Sequence, residues 1–570
     1  MPPATPTADR ELTTVNRHVG VAGSRFAIRF PYMESYAAGE ITPSLIEQTI
    51  GANFERTVAE YGDNEALVEV ASARRWTYRE LNEDVDALAK GLMAAGVNKG
   101  DRVGIWAPNC AEWTITQVAT AKIGAILVNI NPSYRTHEFS YAVNQSGLTL
   151  LVSAERFKTS DYRGMVAQTA QECRELKRTV FIGTDDWDAL IAQGIDVSDG
   201  ELRERMQSLS PHDAINIQYT SGTTGYPKGA TLSHLNILNN GFFTTELINF
   251  SAADRLCIPV PFYHCFGMVM GNLGCISHGA TMVIPSPGFD PQITLRTIET
   301  ERCTGVYGVP TMFIAMHNDP TFGDHDLSTL RTGVMAGAIC PVEVMKRCVA
   351  DMNMTEVSIC YGMTETSPVS TQTRFDDDLE RRTETIGRVH PHVEIKVVDP
   401  LTGETVERGV TGEFCTRGYS VMLGYWDDAE KTAEAIDADG WMHTGDLAVM
   451  REDGYCTIVG RIKDMVIRGG ENIYPREIEE FLYAHPDTED VQVIGVPDAK
   501  YGEELCAWIR MKSDRTPLDA AAVRAYADGK LAHYKIPRYV KVVEDFPMTV
   551  TGKIRKIEMR ERSAQELGLS

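Results

Sequence analysis

The sequence predicts an α/β protein: a large N-terminal domain of layered α/β subdomains plus a small β-rich subdomain, followed by a smaller α+β C-terminal domain. Three observations lead there. The chain has 570 residues, more than one ordinary hydrophobic core organises, so a multi-layer body and at least one smaller domain are expected. From about residue 41 short apolar β-type runs alternate with segments of helical spacing, as in sheets covered by helices. After Gly460 the pattern restarts with new strands, which sets off a C-terminal unit of roughly a hundred residues.

Taken in order, residues 1–35 carry little periodicity and are expected to form an N-terminal extension. They contain no apolar run fit for a signal-peptide core, and the chain has no membrane-length apolar stretch, so a soluble, cytoplasmic protein is expected. Thr77-Tyr78-Arg79-Glu80 reads as a capping box, and Leu81, Val85, Leu88 and Leu92 follow at helical spacing up to Gly96. Val103 to Trp106 reads as a strand, as do the runs AILVN (125–129), LTLLVS (148–153) and TVFIG (179–183). The segments between them are long enough for crossover helices, which predicts largely parallel sheets. EIKVVD, GEFCTRG and YCTIVGR, beyond about residue 385, read as short antiparallel strands of a mixed region. In the C-terminal unit VQVIGV (491–496), LCAWIRM (505–511) and YVKVVED (539–545) read as strands, with a helix near 518–532.

Charge and cysteine usage exclude several function classes. The formal net charge of -24 argues against a general nucleic-acid or anionic-lipid binder and favours small-molecule partners. The twelve cysteines are dispersed, with no C-x-x-C pair and no zinc-like Cys/His spacing, which fits reduced, buried thiols.

The segment Y-T-S-G-T-T-G-Y-P-K-G (219–229) concentrates hydroxyls, glycines and one lysine. AINIQYT (214–220) reads as a buried strand and LSHLNILNN (232–240) as a helix, which makes the segment a strand-to-helix loop. Backbone N–H groups in such a loop can converge on an anion, with glycines permitting close approach and Lys228 adding a charge. The spacing is not that of a Walker A loop. A flexible polar turn is the plainer reading of this stretch taken alone.

Five segments decide against the plainer reading. T-S-G-T-T-G-Y-P-K-G, Y-G-M-T-E (361–365), T-G-D (444–446), G-R-I-K-D-M-V-I-R-G-G-E-N-I-Y-P-R-E-I-E (460–479) and T-G-K-I-R-K (551–556) occur in the order and spacing of the adenylate-forming superfamily. The chain resembles that family over nearly everything after residue 40, and RGYSVMLGYW and IRGGENIYPREIEE resemble its medium-chain fatty acyl-CoA synthetase branch. The resemblance implies a two-step ligase. A carboxylate attacks the α-phosphorus of ATP to give acyl-AMP and pyrophosphate, and the thiol of coenzyme A then displaces AMP.

Residue roles follow from the resemblance alone. Thr220, Ser221, Gly222, Thr223, Thr224, Gly225, Tyr226, Pro227 and Lys228 would cradle the β- and γ-phosphates. Tyr361 would stack on adenine, with Gly337 and Ala338 on its other face; Thr364 would bond the α-phosphate and Glu365 would hold Mg²⁺. Asp446 would accept hydrogen bonds from the ribose hydroxyls, Arg461 would contact the ribose or phosphate, and His264 would border the acyl carboxylate. Lys553 would reach the α-phosphate during adenylation and withdraw before thioester formation. The C-terminal domain (464–570) would therefore be mobile against residues 36–461 about a hinge at 462–463, bringing Gly469 and Gly470 to the pantetheine arm. Individually, such a glutamate or terminal lysine is most often a solvated surface charge, and such a histidine a hydrogen-bonded core residue. Two other readings stay open: a ligase that loads a carrier protein, and a nucleotide-binding scaffold without turnover. Phe262, Phe266, Met268, Tyr307 and Met312 suit an acyl pocket and an ordinary core equally well.

Overall fold

The computed structural model describes residues 33–220, 227–338, 340–469, 471–548 and 554–569, and the statements below concern these residues. The expected extension falls almost wholly outside them. Glu34–Ser570 forms one compact unit.

Two sheets build the large body. The first has the strand order Gly424–Tyr425, Lys228–Ser233, Ala214–Thr220, Ile126–Asn129, Arg102–Trp106, Leu150–Ser153, Arg178–Phe181. Its last five strands run parallel, and they include the four apolar runs recognisable between residues 103 and 183. The second has a parallel centre of Glu356–Gly362, Thr332–Met335, Gly305–Gly308, Arg255–Cys257, Thr281–Ile284 and Glu65–Glu69. Helix Ala111–Ile123 is buried on nearly all sides, as expected of a helix inside a large core. Lys122 on that helix is fully enclosed, and its ammonium meets Asp86 (2.6 Å), Glu55 and the Asn82 amide oxygen.

The capping box forms as expected. Thr77 Oγ1 accepts from the Glu80 N–H at 3.2 Å, and Glu80 Oε2 accepts from the Thr77 N–H at 2.8 Å. The cap contributes about 1 kcal/mol and starts helix Tyr78–Ala94, which buries Leu81, Val85, Leu88 and Leu92.

The β-rich region is an antiparallel sheet of Tyr36–Ala38, Val393–Val398, Gly412–Gly418, Met442–Met450 and Cys456–Arg461. Val393, Ile395, Val397 and Phe414 fill its core, an alternation fixed by the period of two along a strand. Beyond the turn Ile462–Asp464 the chain packs cores of its own, among them Val466, Ile478, Val493 and Ile509 in one and Ile494, Trp508 and Met559 in another.

Two expectations are corrected. Helix Ala520–Ala527 is shorter than 518–532: it stops at Asp528, ahead of Gly529, which takes φ +69. The phosphate-loop segment does not lead directly into a helix. Lys228–Ser233 is a strand antiparallel to Ala214–Thr220, with Lys228 opposite Thr220, and only then does Ser233 cap helix His234–Glu246. The loop therefore joins two paired strands. K-G-A-T-L-S becomes a strand because partners on both sides pair with it, Ala214–Thr220 on one and Gly424–Tyr425 on the other.

Candidate active site

Parallel pairing sets the site at one edge of the second sheet. Met335 lies opposite Ile359, so the chain leaves these neighbouring strands side by side, at Gly337–Ala338 and at Tyr361–Glu365. His264 follows Arg255–Cys257, which ends at the same edge, and its N–H donates to the Pro261 carbonyl at 3.2 Å. Clefts beyond the carboxyl ends of parallel strands are where open α/β sheets bind ligands. Gly337 and Ala338 are exposed there, and Gly337 takes φ +85 in the left-handed region. Gly362 has a steric reason: a Cβ would stand 1.7 Å from the Pro368 carbonyl oxygen. That closeness lets the turn Thr364–Thr366 fold back and bury Glu365 to 4% exposure, with Thr364 half-buried beside it.

Glu365 is held by neutral hydroxyls. Its Oε1 accepts from Tyr425 Oη at 2.8 Å and from Thr220 Oγ1 at 3.3 Å. Thr220 ends the strand that leads into the segment 221–226. On the far side of that segment the Pro227 carbonyl accepts from Tyr141 Oη at 3.0 Å, and Lys228 Nζ lies 4.2 Å from the Tyr425 ring centroid. Ser221, Gly222, Thr223, Thr224, Gly225 and Tyr226 lie outside the described residues.

Asp446, 8% exposed, is held differently. Tyr361 Oη donates to its Oδ2 at 2.7 Å, and Arg461 Nε to its Oδ1 at 2.8 Å. Sheet register makes this group: Asp446 and Arg461 are directly opposite on paired strands. The Tyr361 ring stands edge-on to Phe414 at 5.1 Å. Burial, and then the neighbouring carboxylate, raise the pKa of both Tyr361 and Tyr425, so each hydroxyl stays a donor near neutral pH.

The T-G-D turn has a brace that motif reading missed. Glu413 Oε1 accepts from the Gly445 N–H at 3.1 Å, its Oε2 lies 2.9 Å from His443 Nδ1, and Cys415 Sγ is 3.5 Å from that same nitrogen. These three residues present possible metal-ligand atoms within 4.8 Å of one another. No linear Cys/His spacing announces them, because Glu413 and Cys415 share one strand and His443 comes from its neighbour.

In the C-terminal unit Gly469 takes φ +62, and its N–H donates to the Tyr501 carbonyl at 2.8 Å. Gly470 and Lys553 lie outside the described residues. Met548 and Ile554, on either side of the segment that contains Lys553, form an antiparallel bridge. Lys556 Nζ pairs with Glu479 Oε1 at 2.6 Å.

Against this geometry, the model of the AMP-binding enzyme family matches residues 54–426, and that of the AMP-binding enzyme C-terminal domain matches residues 477–553. The chain belongs to the AMP-binding enzyme family. Relatives in this family include the Bacillus subtilis (strain 168) protein YngI, 50% identical over 92% of this chain and 99% of that one. The mitochondrial medium-chain acyl-CoA ligase ACSF2 of Danio rerio is 45% identical over 94% of this chain and 91% of its own length. Among solved structures, ATP-bound MatB from Rhodopseudomonas palustris superposes with a TM-score of 0.81 at 29% identity, over 92% of this chain and 100% of that chain. The layered α/β body and smaller C-terminal unit are thus the architecture of an AMP-binding enzyme. None of the helices described is long and apolar enough to cross a membrane.

Proposed function

We propose that this AMP-binding enzyme is an ATP-dependent acyl-CoA synthetase, an AMP-forming acid–thiol ligase acting on medium-chain fatty acids in the cytoplasm. The observation that carries the reading is the pair of buried carboxylates Glu365 and Asp446, each fixed by a tyrosine hydroxyl near the strand ends where the adenine segment and His264 emerge. The name of ACSF2, borne by a relative of nearly equal length, supports the acid class.

In the first half-reaction the acid's carboxylate attacks the α-phosphorus of ATP and pyrophosphate leaves. Two anions must meet, so positioning and charge neutralisation dominate. Asp446 would receive the ribose hydroxyls, Thr364 the α-phosphate and residues 220–228 the departing phosphates. Glu365 suits Mg²⁺: it is a buried carboxylate whose hydrogen bonds come from hydroxyls, and among the described residues it makes no ion pair. When bound, the cation offsets phosphate charge. His264 would border the acid's carboxylate. Phe266 and Tyr307, stacked at 5.6 Å, would line the acyl chain. Lys553 would contact the α-phosphate.

In the second half-reaction the thiol of coenzyme A attacks the acyl carbon and AMP leaves. Residues 464–570 would swing about 462–463, withdrawing Lys553 and bringing Gly469 and Gly470 to the pantetheine arm. In a cleft of about 210 Å³ lined by Arg468, Glu504, Arg524, His533 and Arg538, where Arg468 already pairs with Glu504 and Arg538 with Asp498, Arg524 and His533 would face the anionic end of coenzyme A.

The test is an initial-rate panel of linear acids from short to long, plus benzoate, with ATP and coenzyme A and no carrier protein. The expected outcome is AMP and thioester release with a maximum at medium chain length. Acyl-AMP formation without thioester until a carrier protein is added would replace this reading with the carrier-loading one. Lys553→Ala should slow acyl-AMP formation by roughly 10² to 10³ and spare thioester formation from preformed acyl-AMP.

A further inference from the structure

The segment R-G-Y-S-V-M-L-G-Y-W (417–426) contacts both the strand Lys228–Ser233 and Glu365. Gly424–Tyr425 pairs with Ala230–Thr231 at the edge of the first sheet, and the Trp426 N–H donates to the Gly229 carbonyl at 2.7 Å. The Tyr425 N–H is bound separately, by Thr432 Oγ1 at 2.9 Å. Gly424 at φ +145 lets the chain pass Thr432, whose Cγ2 would stand 2.9 Å from a Cβ there. The backbone that carries Tyr425 is therefore pinned on both sides.

From that mount the residue reaches both halves of the phosphate-handling site. Lys228 Nζ rests on its ring, in a cleft also lined by Tyr141, Trp426 and Lys431. Its hydroxyl donates to Glu365 Oε1 at 2.8 Å, while the Met422 N–H of the same segment donates to the Glu365 backbone carbonyl at 2.9 Å. Main chain and side chain of one acid are gripped by one short segment. We infer that Tyr425 is a positioning residue for divalent-cation binding: it aims the Glu365 carboxylate and sets it in a common frame with Lys228 of the phosphate loop. The inference rests on the reading of Glu365 as the Mg²⁺ ligand. Partners that orient a metal-binding carboxylate commonly change metal affinity or activity by 10- to 100-fold when removed.

The experiment measures ATP binding to the full chain by calorimetry, without carboxylic acid, once with Mg²⁺ and once with EDTA. The ratio of the two affinities is the metal coupling, a quantity that a purely structural tyrosine would not move. Tyr425→Phe keeps the ring under Lys228 and removes only the donor. It should lower the coupling about tenfold while changing binding in EDTA far less, and the loss of a donor to a buried carboxylate should lower the thermal midpoint by a few degrees without unfolding the protein. Tyr425→4-aminophenylalanine restores a donor at the ring's para position and should recover the coupling; its failure to do so in a folded protein would overturn the inference even if the Phe variant did not fold. Glu365→Gln separates the two claims. Coupling lost in Glu365→Gln but intact in Tyr425→Phe overturns the role of Tyr425 and leaves the metal reading standing, whereas coupling intact in both overturns both.

Discussion

Glu365 and Asp446 are both buried, and each is bound by a tyrosine hydroxyl, at 2.8 and 2.7 Å. They differ in the second partner. Asp446 has a cation, Arg461, on its other oxygen, whereas Glu365 has the neutral Thr220 hydroxyl on the same oxygen that Tyr425 uses. A buried carboxylate without a cation is costly unless one arrives. The difference teaches what each end of the site is built to meet. On the proposed roles, the Glu365 end would offer a metal ion a carboxylate that makes no ion pair among the described residues, while the Asp446 end, already paired with a guanidinium, would meet uncharged ribose hydroxyls. Each Asp446 oxygen has one partner and keeps acceptor capacity for another, so the proposed ribose hydroxyls could join Tyr361 and Arg461 there, and Arg461 sits on the strand immediately before the proposed hinge.

The comparison breaks most visibly at Glu365. Glu365→Gln removes the charge and should slow acyl-AMP formation about 10²-fold at low Mg²⁺, with partial recovery as Mg²⁺ is raised; an unchanged Mg²⁺ dependence in pyrophosphate release would take Glu365 out of the metal site. At the other end, Asp446→Ala should leave the Mg²⁺ requirement alone and reduce the preference for ATP over 2′-deoxy-ATP about tenfold, the scale of one hydrogen bond to a charged group. Equal preference ratios in wild type and variant would refute the ribose role.

The smallest effect concerns the brace behind Asp446. Cys415, and then Glu413, raise the His443 pKa to about 10, above its ordinary 6.5. A raised folded-state pKa gives a contribution that is fully present below about 6.5 and is lost as pH rises through about 10. His443→Gln should therefore lower the thermal midpoint by about 2 °C at pH 6, with the gap to wild type closing toward pH 10. A gap that widens with pH would show that the imidazole is held neutral.

Much of this molecule can be read from local pattern. The capping box at Thr77, the parallel strand runs between 103 and 183 and the restart after Gly460 all depend on neighbours in sequence, and all appear in the structure. Lys228–Ser233 was hidden because its extended form depends on partners from 214–220 and 424–425. Tyr425 carries no local signal of its role, since its partner, Glu365, is sixty residues away. The Glu413–Cys415–His443 group, too, exists only across a strand pair.

The sequence by itself determined the alternation of elements, the order of the five motifs and the chemical types available: hydroxyl-rich loop, carboxylates, lysine near the end. Those follow from side-chain period and backbone preference, which act over a few residues. Only the tertiary structure decided which hydroxyl faces which carboxylate, that Asp446 meets a guanidinium while Glu365 meets hydroxyls, and that the strands on either side of residues 221–226 pair with each other. Each of these depends on the register of strands distant in sequence, and a shift of one residue would turn Asp446 or Arg461 to the opposite face of its sheet.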